Sequence, residues 1–134
     1  MCIRDRFDAG AALTTGHNNV LIGNQAGLKI EGAEKNVIIG YLAGCNLVHG
    51  SSPACQGDAN VIIGSQAGKT ATTAFENIII GDRAVSSGTF TGKRNVIMGW
   101  EAACLLTSGY YNAGYGLSSL GKLTTGRDLS LIHI

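Results

Sequence analysis

Three features of the chain predict an all-β fold, a parallel β-solenoid (β-roll or β-helix) of about seven ~17-residue coils. The stretch Asn60-Val61-Ile62-Ile63-Gly64-Ser65-Gln66-Ala67-Gly68 is one copy of a pattern that begins again at Asn19, Asn36, Asn77, Asn95 and, in degenerate form, Asn112. The steps between these asparagines are 17, 24, 17, 18 and 17 residues. Within each copy, β-branched or apolar residues recur at period two, the signature of a strand. One such coil cannot bury its apolar row alone, but a stack of them can.

The two ends read differently from the rest. Met1-Cys2-Ile3-Arg4-Asp5-Arg6 matches the translated end sequence inserted by transposase-based sequencing kits, and Leu129-Ser130-Leu131-Ile132-His133-Ile134 matches the same element in the opposite sense. Residues 1–6 and 129–134 are therefore expected to be sequencing-adapter scars. Residues 7–128 are expected to be the β-solenoid repeat domain, a metagenomic fragment open at both ends.

With Asn as position zero, each part of the coil has an expected role. Asn19, Asn36, Asn60, Asn77, Asn95 and Asn112 are expected to stack at one corner as a structural ladder, hydrogen-bonded from rung to rung. Positions +1 and +3 (Val61 and Ile63 in the copy above) are expected to face inward. Position +4 is glycine in all six copies: Gly23, Gly40, Gly64, Gly81, Gly99 and Gly116. Glycine suits a corner that needs positive φ or close backbone approach. Position +7 is Ala26, Ala43, Ala67, Ala84, Ala102 and Ser119, small enough for the inside of a bend. Position +11, from Leu13 and Ile30 through Ala71 and Gly88 to Leu106 and Leu123, forms a second, looser core row. Thr, Ser and Gly follow as the outer turn.

Position +2, opposite in face to +1 and +3, is also apolar: Leu21, Ile38, Ile62, Ile79 and Ile97. On this reading it forms an exposed hydrophobic stripe, the expected oligomer interface.

The long step carries seven extra residues within 45–58, an insertion of the kind that maps to a surface loop. Cys45 and Cys55 bracket it and either pair as a disulfide or remain free thiols. His49 lies between them, but the spacing matches no standard zinc pattern, so no metal site is expected. Tyr41 and Trp100, at position +5, are expected to face outward with His49 as surface contacts, either stacking on sugar rings or padding a neighbouring chain. The threonine pairs at 14–15, 72–73 and 124–125 evoke ice-binding ranks, but their offsets wander.

Composition excludes several function classes. The formal net charge is +1, and discounting Arg4, Arg6 and Asp5 (two positive, one negative) brings it to zero. A neutral chain with no basic block offers no footing for nucleic acid. No apolar run approaches the ~20 residues of a membrane span, so no membrane insertion is expected.

The repeat Asn-Val-x-Ile-Gly-x-x-Ala resembles the YadA-like head repeat of trimeric autotransporter adhesins, a left-handed β-roll. With Leu-Thr-Thr-Gly before the next Asn it is also similar to the repeat arrays of bacteriophage tail fibres. The resemblance spans residues 9–126. It departs from the adhesin head in its longer period and in Asn112-Ala113-Gly114-Tyr115, which lacks the Val-x-Ile core. It implies a homotrimer on a virion or bacterial cell surface that extends, presents contact surface and attaches to a glycan or protein receptor. No catalytic residue and no cofactor is expected on this reading. The alternative comes from Ile22-Gly23-Asn24-Gln25-Ala26-Gly27, which fits the hexapeptide of left-handed β-helix acyltransferases. Such an enzyme would use acyl-CoA and a loop base, His17 or His49. Only one hexad per coil obeys that pattern.

Overall fold

The computed structural model describes residues 3–48, 50 and 57–132. Eight three-residue strands form one parallel sheet in sequence order. They are β1 (Ile3–Asp5), β2 (Val20–Ile22), β3 (Val37–Ile39), β4 (Val61–Ile63), β5 (Ile78–Ile80), β6 (Val96–Met98), β7 (Ala113–Tyr115) and β8 (Ser130–Ile132). Each strand pairs with the next at the same repeat position, Val37 opposite Val61 and Val61 opposite Ile78. The chain is a β-solenoid, about 34 Å along the stack at ~4.8 Å per rung.

The 24-residue step between Asn36 and Asn60 leaves this register intact. Val48, the last described residue before His49 in this step, still donates its N–H to the Thr72 carbonyl of the next coil. His49 and Cys55 lie outside the described residues. The ladder also runs into 3–5 and 130–132, where Ile3, Leu131 and Ile132 are exposed. Backbone pairing is indifferent to side chains, and an open sheet edge accepts any extended segment.

The strands face the opposite way from the sequence expectation. Leu21, Ile38, Ile62, Ile79 and Ile97 are each 0% exposed and form the core, not an oligomer interface. Positions +1 and +3 are the ones turned outward. The cause is parity. Side chains two residues apart share a strand face, and Asn at zero points inward, so +2 does too. The alanines of position +7 line the same interior, with Ile30, Leu47, Ala71, Phe90 and Leu106 behind them. Phe90, two residues beyond Gly88, takes the core place expected for that glycine and bridges Ala71 of the preceding coil.

The asparagines form a continuous buried ladder. Each Oδ1 accepts the next Asn backbone N–H at 2.9–3.1 Å. It also accepts that residue's Nδ2 at 3.0–3.2 Å. In five coils Nδ2 donates as well to the carbonyl of Ala33, Ala74, Gly92, Gly109 or Gly126, at 2.8–2.9 Å, which closes the coil on itself. At the last rung Asn112 Oδ1 accepts the Leu129 N–H. Buried amides must be paired, and these satisfy one another along the axis.

The corner glycines stack directly. Their φ values run from 108° to 145°. A Cβ on Gly64 would lie 2.5 Å from the Gly81 carbonyl oxygen, and one on Gly81 2.2 Å from that of Gly99. No side chain fits between rungs at this corner.

Candidate functional site

The outward strand face is the largest candidate surface. Val20, Val37, Val61, Ile78, Val96 and Ala113 form one column, and Ile22, Ile39, Ile63, Ile80, Met98 and Tyr115 the other. All are partly or well exposed, Ile78 at 38% and Met98 at 37%. The sheet places them there because its core face is already taken by position +2. The result is a flat apolar strip six rungs long, of the kind that marks an interaction surface.

Position +5 borders this strip, one residue beyond the corner glycine. Tyr41 is 53% exposed and Trp100 44%. They stand three rungs apart, about 14 Å, so the fold does not bring them together. Leu117 extends the same row and is also exposed. Position +5 carbonyls pair with the next coil, as Tyr41 does with the Gln66 N–H, so only the side chains are free to make contacts.

A second surface lies on the edge just before each asparagine. Isolated parallel bridges join Phe75 to Lys93, Lys93 to Tyr110 and Tyr110 to Arg127. The Lys93 ammonium sits 5.6 Å from the Phe75 ring centre and 6.0 Å from that of Tyr110. One residue on, Arg94 lies 5.5 Å over the Tyr111 ring and bonds both Glu76 and the Tyr111 hydroxyl. Hydrogen bonding to Glu76, then to Tyr111, raises the Arg94 guanidinium above its ordinary pKa. Arg127 is raised in the same direction by the Tyr110 hydroxyl. Tyr110 and Tyr111 meet edge to face, 5.7 Å between centres. In the earlier coils the same edge carries His17, Glu34 and Asp58: His17 pairs with Glu34 at 3.2 Å, and Asp58 accepts the Glu34 N–H.

Nothing in the repeat's apolar pattern marks this edge. The signal was the offset. Phe75, Lys93, Tyr110 and Arg127 each precede an Asn or its positional equivalent by two residues, so the period that stacks the strands also stacks them.

Of the threonine pairs, Thr14 and Thr72 donate their hydroxyls to carbonyls of the neighbouring coil, as Thr91 and Thr107 do elsewhere on the outer turn. Cys45 is a buried free thiol whose Sγ–H points to the Lys69 carbonyl, and burial pushes its pKa up. Its candidate disulfide partner, Cys55, lies outside the described residues.

No family model, no curated protein and no solved structure matches the chain, so any reading of its function stands on these surfaces.

Proposed function

We propose that the chain is a structural and adhesive segment of an extracellular homotrimeric fibre. The parent is a phage tail fibre or a bacterial surface adhesin that presents contact surface for attachment to a host or cell. The observation that carries this reading is the apolar strip of positions +1 and +3, repeated without interruption over six rungs of a β-solenoid. A solvated solenoid would break such a strip with charge.

At ~3.4 Å per residue and ~4.8 Å per rung, the three-residue strands present roughly 300 Å². A standard interface uses ~800 Å² per partner. Association of this chain is therefore weak, and it strengthens with the row of Tyr41 and Trp100 and with each added coil. The acyltransferase alternative is less favoured, because a triple-hexad coil needs three equivalent faces and these coils carry one named strand each.

Sedimentation across a concentration series tests the assembly. A reversible trimer is expected, and it is expected to vanish in Ile63→Asp while the circular dichroism spectrum stays unchanged. A folded monomer at every concentration, for this chain and for one with coils duplicated, would overturn the reading.

A further inference from the structure

We propose that the edge formed by Phe75, Lys93, Arg94, Tyr110, Tyr111 and Arg127 binds a linear acidic polysaccharide through its sugar carboxylates. This rests on the adhesive reading above and names the ligand class.

Lys93 carries the inference. Its ammonium is held between two aromatic rings, and among the described residues it makes no ion pair or hydrogen bond. A partly buried cation without a carboxylate is one that an incoming anion can satisfy. Arg94 has five N–H donors. It spends Nε on Glu76 and one Nη1 hydrogen on Tyr111, which leaves donors on both terminal nitrogens. Rings and cations alternate along the axis, Phe75, Lys93, Tyr110, Arg127, one per rung.

The spacing selects the polymer. Lys93 and Arg127 lie two rungs apart, about 9.6 Å. In an extended peptide, side chains on one face repeat at about 6.8 Å, so an acidic peptide falls out of step. A β-linked pyranose chain advances by close to one rung per sugar. It also offers apolar C–H faces to the rings and carboxylates to the cations. The edge is limited in length, because Glu34 and Asp58 occupy it in the earlier coils and repel a polyanion. The ligand therefore spans about four rungs.

The test is calorimetric titration of the whole chain with β-linked oligomannuronate, with cello-oligosaccharide as the neutral comparator and poly-glutamate as the peptide one. Oligomannuronate is expected to bind, to weaken at least tenfold in Lys93→Gln, and to weaken with added salt. Lys29→Gln, on another row, is expected to leave it unchanged. No binding of oligomannuronate, or equal binding in Lys93→Gln with the fold intact by circular dichroism, overturns the proposal. Poly-glutamate binding as tightly reassigns the edge to acidic peptides and also overturns it. Sedimentation of the same samples separates this failure from failure of the assembly, because Lys93 lies off the apolar strip.

Discussion

The coil that starts at Asn60 and the one that starts at Asn112 fill the same interior in opposite ways. In the first, Ile62 at +2 is the large residue and Gly68 at +8 the small one. A Cβ on Gly68 would sit 3.2 Å from the Ile62 side chain. In the second, Gly114 stands at +2 and Leu120 at +8. A Cβ on Gly114 would meet Leu120 Cδ1 at 2.6 Å. Leucine has moved into the space that isoleucine gave up. The degenerate last copy is thus a volume exchange and not a decayed coil, which is what close packing demands. Phe90 repeats the lesson. It lies beside Ala71 in the stack, and a Cβ on Gly92 would lie 2.3 Å from its ring.

What the two coils share should be hardest to change. Gly64→Ala puts a methyl against the Gly81 carbonyl and fixes alanine at φ 134°. Backbone strain alone costs about 1–3 kcal/mol, and the clash adds to it. The stack is expected to lose its cooperative urea transition. Gly88→Ala, at φ 77° with only the Thr107 methyl at 3.3 Å from its Cβ, carries backbone strain without the backbone clash and is expected to keep it. Next comes the large residue of the first coil: Ile62→Ala is expected to cost about 2–5 kcal/mol in urea unfolding. A loss under ~1 kcal/mol there would mean that +2 is not core.

The ladder common to both coils comes third. Asn77→Ala leaves the Asn95 N–H and Nδ2 without their shared acceptor, at about 1–3 kcal/mol. Asn112→Ala, at the last rung, is expected to cost less in the same assay. The exchange itself is tested by Gly114→Ile, which overpacks and costs about 1–3 kcal/mol. Adding Leu120→Gly should return most of that. Strict additivity of the two changes would refute the exchange. The smallest effect is at Ala59, exposed with φ 55°. Ala59→Gly is expected to raise the melting temperature slightly, worth up to ~1 kcal/mol.

The period, the asparagines and the corner glycines were legible because each repeats as a residue type. The inward face was legible too, from the parity of a buried Asn, but the match of +1 and +3 to an ordinary amphipathic strand pointed the other way. With apolar residues at three consecutive positions, periodicity alone cannot choose a face. The exchange of Gly114 with Leu120 was hidden because it links residues six apart whose volumes matter only together. The left-handed residue before each asparagine, Lys35, Ala59, Glu76 or Arg94, was hidden for another reason. The closing of the coil imposes that conformation, and the residue type does not announce it. Tyr110 and Tyr111 are visible in the sequence as turn aromatics and Lys93 and Arg94 as surface charges, but that they make one edge was hidden, because they are chemically unlike and share only an offset.

The asparagine ladder also decides how the rod answers a pull. Its hydrogen bonds run along the axis, while the covalent chain winds across it. Tension from end to end therefore falls on the hydrogen bonds, one rung at a time, unlike in a coiled coil, whose backbone runs with the load. Under an optical trap the rod is expected to unwind in discrete lengths, about 60 Å for a 17-residue coil at ~3.5 Å per residue. The coil between Asn36 and Asn60 should release about 84 Å on the same scale. That single longer event would mark where along the rod the unwinding front had reached.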